Sequence, residues 1–409
     1  MSNWSPFWDT VLLRDIADFR NGVNFSAASK GRGIKVIGVS NFQNYVDVPY
    51  HELDEINPSG VVRPEDLLQD NDFVFVRSNG NRALIGRSLF VRNLSEPVTH
   101  SGFTIRLRFI SEVMQPEFFA QLIRSDIARN EISHFGSGTN ISNLSQEILG
   151  SLVVPLPPLH EQRAIAAILS TWDEAITLTT RLIDALQRRK QALMQLLLTG
   201  EVRSQWNVVS LSEVTRLIIS NVDKVTTEDE LMVRLCNYMD VYRNSRIVNS
   251  MQFMEGSVTE SEFDRFALQK HDVIITKDSE TPEDIAQASV VAEDLENVVC
   301  GYHLAILRPI QEQIYGPFLR ELLMTPDVHH QFVARANGAT RYGLTHSAIA
   351  SASIPIPEHV DEQLRIADLL STNDAWVEGL EHYAHLLRWQ KRGLMQQLLT
   401  GAVRVGMDD

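Results

Sequence analysis

The side chains best suited to chemistry in this sequence are short runs of basic, amide and aromatic residues. Arg77-Ser78-Asn79-Gly80-Asn81-Arg82 directly follows the apolar run Phe73–Val76. Lys and Arg neutralise phosphate, Arg pairs with guanine, and Asn pairs with adenine. On that ground Arg77, Ser78, Asn79, Asn81 and Arg82 are candidate DNA contacts, joined by Asn140 in the Gly136–Asn140 loop. In the second half the candidates are Tyr238, Tyr242, Arg243, Arg246, Lys277 and the Arg341-Tyr342 pair. Glu280, Glu283 and Asp284 follow Lys277 closely and oppose phosphate there.

Motifs for catalysis are missing. The sequence has no G-x-x-x-x-G-K-[ST] phosphate loop, no G-x-G-x-x-G after a strand, no H-E-x-x-H helix and no G-x-S-x-G elbow. No Asn-Pro-Pro-Tyr-like methyltransferase motif and no nuclease carboxylate cluster occurs either. His329 and His330 are adjacent, so on a helix they point about 100° apart and read as a surface pair. Cys236 and Cys300 cannot complete a structural zinc site alone and read as reduced thiols. No metal is expected.

The elements that position the candidates come as a repeat, offset by roughly 200 residues. The stretch EQRAIAAILSTWDEAITLTTRLIDALQRRKQALMQLLLTGEVR from Glu161 matches EQLRIADLLSTNDAWVEGLEHYAHLLRWQKRGLMQQLLTGAVR from Glu362. Trp8–Val11 pairs with Trp206–Val209, Ser40–Phe42 with Cys236–Tyr238, Asp72–Arg77 with Asp272–Lys277, and Ser101–Phe103 with Cys300–Tyr302. Each matched long stretch reads as one helix ending at Thr199-Gly200 or Thr400-Gly401. Its apolar seam (Ile165, Leu169, Trp172, Ile176, Thr179, Ile183, Leu186, Lys190, Leu193, Leu197) alternates steps of four and three, the period of a coiled coil. In the second copy the seam ends Leu387, Lys391, Leu394, Leu398. Lys190 and Lys391 interrupt the two seams at the same place, which suits register control between paired helices; two unpaired helices, each on its own domain, are the alternative.

The intervening blocks mix short strands (Ile34–Val39, Phe73–Val76, Phe103–Leu107, Val273–Thr276, Leu304–Leu307) with closing helices at Pro116–Arg129 and Pro317–Arg335. The fold class expected is α+β: two mixed α/β domains, two long helices pairing as an antiparallel coiled coil, and an internal pseudo-twofold repeat. The divisions are 1–157, 158–203, 204–357 and 358–409.

The 409 residues suffice for two or three domains with their own cores. The polar start and the absence of any run of ~18 apolar residues predict a cytoplasmic protein without a membrane segment. The net charge of −15 counts against nucleic acid, yet it is uneven: residues 204–360 hold 12 basic against 22 acidic groups. A DNA surface must therefore be a local basic patch.

The P-x-P-x-x-x-E-Q-x-x-I stretch (Pro155, Pro157, Glu161, Gln162, Ile165) and the L-M-Q-x-L-L-T-G stretch (Leu193 through Gly200) recur at Pro355, Pro357, Glu362, Gln363, Ile366 and at Leu394 through Gly401. With the Gly-Thr loops ahead of them, the whole chain resembles the specificity subunit of type I restriction-modification systems. The resemblance implies a non-catalytic chain whose two variable blocks are target recognition domains, each reading half of a split site on double-stranded DNA. It implies two methyltransferase subunits and restriction subunits as partners, which bring S-adenosylmethionine, ATP and Mg2+; none of these is expected on this chain. Glu161, Gln162, Trp172, Leu186, Leu193, Leu197, Glu362, Gln363, Leu387, Leu394 and Leu398 then serve as spacer and subunit interface. Leu178, Leu182 and Leu196 fall outside the seam and are expected on an exposed apolar surface. A helical spacer acts as a ruler, so four residues inserted near Thr199 are expected to widen the gap between half-sites by about 6 Å. An enzyme with dispersed catalytic residues, or a scaffold binding only proteins, are the competing readings; the net charge favours the second.

Overall fold

The fold is that of a computed structural model, which describes residues 4–25, 30–43, 46–58, 62–135, 143–199, 205–223, 226–227 and 229–405. Two compact units emerge, 1–179 with 383–409, and 180–382. Both long helices are present, Leu159–Leu198 and Val360–Thr400, and each unit takes half of each.

In the first unit an antiparallel sheet runs in the order Ala17–Asn21, Thr104–Phe109, Phe73–Val76, Ser88–Phe90. A second sheet of three strands orders Asp54–Ile56, Lys30–Ile37, Val98–His100, the last pair parallel. The central strand Phe73–Val76 is apolar at every position because both its faces are covered. Phe73 and Phe75 join the core that receives the helices, whereas Val74 and Val76 join the core beneath the three-stranded sheet. Alternate side chains of a strand point to opposite faces, so two cores demand four apolar residues in a row.

The second unit repeats this with a five-stranded sheet, Thr215–Ile219, Leu304–Pro309, Val273–Thr276, Ala288–Val291, Arg246–Ile247. Val273 and Ile275 face one core and Ile274 the other. Just before each central strand a buried aspartate is gripped by a strand arginine: Asp72 by Arg108 at 2.7 and 2.6 Å, Asp272 by Arg308 at 2.9 and 2.8 Å.

Phe73–Val76 and Val273–Thr276 form as expected. The closing helices do not form as single rods. Each is two helices, Pro116–Arg124 then Asp126–Phe135, and Gly316–Leu323 then Pro326–Arg335. At the second break Thr325 is extended (ψ 143°), as a residue before proline prefers, and its hydroxyl bonds Leu322 O at 2.7 Å. Ser125 has the same extended backbone (ψ 154°) without a following proline, its hydroxyl bonding Leu122 O at 2.6 Å.

The strands also correct two repeat alignments. His100, not Ser101, is the counterpart of Cys300, since His100 pairs Ile37 where Cys300 pairs Cys236. Likewise Gly38 and Asn237 are counterparts, because the amide N–H of each is capped by the residue three ahead, Asn41 or Asp240; the similarity of Ser40–Phe42 to Cys236–Tyr238 is out of phase.

The long helices pack antiparallel within each unit. In the first, Glu161 contacts Arg404 and Asp173 contacts Lys391, so one helix rises as the other descends. In the second, Lys190 contacts Asp374 while Leu198 shares a core with Ile366 and Leu370. Gly401 ends the second helix with φ +72°, and a Cβ there would lie 2.5 Å from Ser5 Cβ, so glycine is required.

Candidate nucleic-acid interface

Where the central strand ends, the backbone of the next residue is pinned on both sides. In the first unit Arg77 N–H donates to Phe103 O at 2.8 Å, and Arg77 O accepts from Leu144 N–H at 2.8 Å. In the second unit Lys277 N–H donates to His303 O at 3.0 Å, and Lys277 O accepts from Leu344 N–H at 2.8 Å. The two candidates thus occupy one structural position, a fixed backbone from which a long basic side chain projects.

Their side chains differ. The half-buried Arg77 guanidinium makes no hydrogen bond or ion pair among the described residues. Lys277 is tied down: its ammonium lies 3.2 Å from Asp278 Oδ2 and 5.0 Å from the Tyr302 ring centroid. Asp278 also bonds His303 Nδ1 at 2.6 Å. Lys277 is therefore a weaker phosphate donor than its sequence position suggests.

Asn79 and Asn81 fold the loop beyond Arg77 by using their own amide oxygens, Asn79 Oδ1 on Asn81 N–H (2.6 Å) and Asn81 Oδ1 on Ala83 N–H (3.1 Å). These Asx turns make the loop's shape. A bidentate pairing with adenine needs the oxygen as well as the NH2, so in this conformation each amide would have to share its acceptor. Ser78 is half-buried beside them; Arg82 opens a short 3-10 turn. Asn140 lies outside the described residues.

In the second unit several candidates do come together. Tyr238 and Tyr242 stack at 5.6 Å, and Tyr242 Oη donates to Asp284 Oδ1 at 3.3 Å. Burial, then Tyr242, Asp284 and Glu280, push the Tyr238 phenol above its ordinary value, with Arg341 opposing. Tyr342 pairs with Ser279 in a two-residue ribbon that folds the Arg341-Tyr342 loop over the end of the central strand. Arg243 and Arg246 line a cleft of about 400 Å³ with Tyr242 and with Asp374, Glu378 and Glu381 of the long helix. Arg243 is exposed and Arg246 half-buried, and the carboxylates of the cleft oppose phosphate there.

The strand arginines are also spoken for, Arg20 by Asp66 at 2.8 Å and Arg106 by Asp18 at 2.6 Å. Sequence reasoning missed Phe103 and Tyr302, exposed at 61% and 46% in the turns next to Arg77 and Lys277. Their signal was present, an aromatic in a Gly-containing turn, but it was used only to align the repeat. The thiols of Cys236 and Cys300 are buried on paired strands, and burial pushes both well up, so neither is a nucleophile. Among the described residues no group of three His, Cys, Asp or Glu is placed to hold a metal, and no helix is long and apolar enough to cross a membrane.

The spacer candidates form a duplicated joint. Glu161 accepts from Trp8 Nε1 at 3.0 Å and from Arg404 at 2.6 and 2.8 Å; Glu362 accepts from Trp206 Nε1 at 3.3 Å. Although burial raises the Glu161 carboxyl, Arg404 and Trp8 hold it below the usual range. Gln162 accepts from Gln115 N–H (2.7 Å) and donates to Val113 O (2.9 Å) and Pro157 O (2.8 Å). Gln363 repeats this on Tyr315 N–H and Gln313 O. Glu161, Gln162 and Gln363 are fully buried, so a role in contacting another subunit is closed to them; they weld each helix start to its domain. Leu193 and Leu197 pack on the second unit's core, and Leu394 and Leu398 on the first's. Leu387 is buried, Leu186 and Trp172 half-buried. Leu178, Leu182 and Leu196 are exposed at 55%, 49% and 64%, as expected.

Comparison with known proteins accounts for both halves. Residues 7–188 and 203–383 each match the type I restriction modification DNA specificity domain. The chain is 23% identical over 282 residues to the type I restriction enzyme MjaVIII specificity subunit of Methanocaldococcus jannaschii, covering 66% of each. It is 21% identical to the putative MjaX specificity subunit of the same organism, covering 97% of this chain and 94% of that one. The EcoKI specificity subunit of Escherichia coli K12 is 22% identical, with 85% and 77% covered. In fold it is similar to the S subunit of a type I system from M. genitalium, with TM-score 0.61, 14% identity, and 97% and 99% of the chains covered. A structure described under complex assembly and conformational transition of the type I R-M system gives TM-score 0.57 at 18% identity, covering 98% and 99%.

Proposed function

The chain belongs to the type I restriction-modification specificity family, and from that premise we propose that it selects a bipartite DNA target for a methyltransferase and restriction assembly without doing chemistry itself. The observation that carries this reading is the duplicated strand exit, Arg77 in one unit and Lys277 in the other, each pinned through the same backbone bonds beside an exposed aromatic. One chain that presents two related recognition surfaces suits a target with two halves. Two methyltransferase subunits and the restriction subunits dock on the chain, and S-adenosylmethionine, ATP and Mg2+ reside on them. The exposed leucines of the long helices suit such docking.

Methylome sequencing with and without the gene tests the reading: one split motif should disappear. Replacing residues 204–355 with the equivalent block of a relative should change one half of that motif only. Arg77→Ala should weaken the half read by the first unit by about 1–3 kcal/mol, and Lys277→Ala should act less on the other half because its ammonium is already paired. A motif that persists without the gene, or halves that change together, would rule the proposal out.

A further inference from the structure

We propose that the first unit carries a single-copy groove that docks an acidic, partly apolar peptide segment of a partner protein, a role beyond the DNA reading above. The groove has a volume of about 1130 Å³ and lies between the segment 124–130, the 172–176 stretch of the first long helix and residues 388–397 of the second. Its lining includes Ile127, Trp172, Ile176, Leu394 and Met395. The same lining carries five cations, Arg124, Arg129, Arg388, Lys391 and Arg392, against two carboxylates, Asp126 and Asp173. Lys391 and Asp173 cancel each other at 2.6 Å, and Asp173 also accepts from Gln121 Nε2 at 2.8 Å, so the positive excess is that of the four arginines over Asp126. Within a chain of net charge −15 this is a concentrated positive site.

Arg124 adds a second observation. Its Nε is buried with no hydrogen-bond partner among the described residues, while Nη2 donates to Val46 O at 2.8 Å. Burial draws its guanidinium down to about 10. A carboxylate in the groove would meet this guanidinium, whose hydrogen bonding is incomplete among the described residues.

The shape selects the ligand class. The volume exceeds the ~300–1000 Å³ of ordinary small-molecule sites. The 388–397 wall rises about 14 Å, room for roughly four residues of extended peptide at ~3.3 Å each. A duplex backbone offers phosphate for the arginines but nothing apolar for Ile127, Trp172, Ile176 and Leu394. An acidic segment with interspersed large apolar residues satisfies both.

The repeat makes the site solitary. At the counterpart positions Arg124 becomes Met324, Trp172 becomes Asn373, Arg388 becomes Gln187, Trp389 becomes Arg188 and Arg392 becomes Gln191. Five lining positions thus differ between the copies, so this groove gives a single partner segment one seat per chain.

The test titrates the purified full chain with a fluorescein-labelled nine-residue peptide, three repeats of Glu-Glu-Leu, with a Lys-Lys-Leu version as control and non-specific 30-base-pair duplex as competitor. Saturable micromolar binding of the acidic peptide is expected, with quenching of tryptophan fluorescence that Trp389→Phe reduces. Arg388→Glu with Arg392→Glu, both exposed, should weaken binding at least tenfold, Arg392→Glu alone should weaken it measurably, and Gln187→Glu with Gln191→Glu should not. Target methylation by the assembled complex should survive the double reversal, so failure of the groove and failure of the DNA reading give different results. Equal binding of the basic peptide, no saturable binding, displacement by duplex, or loss of methylation in the double reversal would each overturn the proposal.

Discussion

Lys190 Nζ lies 2.5 Å from Asp374 Oδ2 on the other long helix and 3.1 Å from Glu321 Oε2 of the second unit's domain. One ammonium thus ties two helices and a domain together in the middle of an apolar seam. The repeat builds the same knot in the first unit, where Lys391 meets Asp173 at 2.6 Å and Gln121 Oε1 at 3.0 Å. Burial lowers the Lys391 ammonium despite Asp173. A charge in a seam forbids any stagger that strands it without its partner, which fixes register at some cost in stability.

Removing the charge should therefore hurt unequally. Lys190→Met takes the ammonium from the nearly enclosed Asp374, while Glu321 keeps Arg320 at 2.6 Å, and should cost about 3 kcal/mol in denaturant unfolding. Lys391→Met should cost less, since Asp173 is 43% exposed and Gln121 is neutral. Pairing Lys190→Met with Glu321→Gln and Asp374→Leu should restore most of the loss. Equal costs at the two sites would contradict this account.

The Glu-Gln weld predicts a second effect. Gln162→Ala strands a buried N–H and two carbonyls, and should destabilise the first unit by about 2 kcal/mol, read as a shift in its urea midpoint. Glu161, whose folded carboxyl titrates below its unfolded value, contributes stability fully above about pH 4.5 and loses it as pH falls through the folded value. Glu161→Gln should flatten that acid limb. An unchanged midpoint for Gln162→Ala would show that the weld is dispensable.

His100 supplies a third. Burial, then Arg106, pulls its imidazole down to about 3, and its Nδ1 sits 2.9 Å from Thr104 Oγ1. The folded state thus binds a proton less readily than the unfolded chain, whose imidazole titrates near 6.5. Stability from the neutral ring is complete above 6.5 and falls toward pH 3, by at most about 1.4 kcal/mol per pH unit. His100→Cys, which copies Cys300 in the repeat, should remove this slope between pH 6.5 and 4 relative to the parent chain. A variant with the parental slope would exclude His100 as its source.

How far the sequence reached follows from what each pattern encodes. The long helices were legible because a 3.5-residue seam persists for ten positions, and the paired lysines marked their shared register. Phe73–Val76 was legible because two cores require an unbroken apolar run. The break at Ser125 was not, since no proline follows and the hydroxyl that satisfies Leu122 O leaves no trace in periodicity. The alignment of Ser101 with Cys300 failed by one residue because Ser-Gly-Phe and Cys-Gly-Tyr look alike, while strand pairing is set by backbone bonds. At the candidate interface, residue type located Arg77 and Lys277 together. It could not foresee that Asp278 would hold Lys277, that Arg243 and Arg246 would share a cleft with helix carboxylates, or that Phe103 would stand exposed.

The ruler expectation changes for the same reason. Leu198 is fully buried in a core with Ile366 and Leu370, so the first long helix is anchored before Thr199. Four residues inserted near Thr199 fall beyond that anchor and should leave the gap between half-sites as it is, read by methylome sequencing. The ruler idea is tested by lengthening both helices where the chain divides into its units, after Thr179 in one and after His382 in the other. Seven residues in each keep the 3.5-residue phase of the seam and add about 10.5 Å, roughly the rise of three base pairs at ~3.4 Å. Paired heptad insertions should therefore yield methylation of the same two half-sites with a gap longer by about three base pairs, read by methylome sequencing. A single heptad in either helix should abolish methylation by putting Lys190 or Lys391 out of step with its aspartate. Active complexes whose gap ignores the paired insertions would show that the helices do not set the spacing.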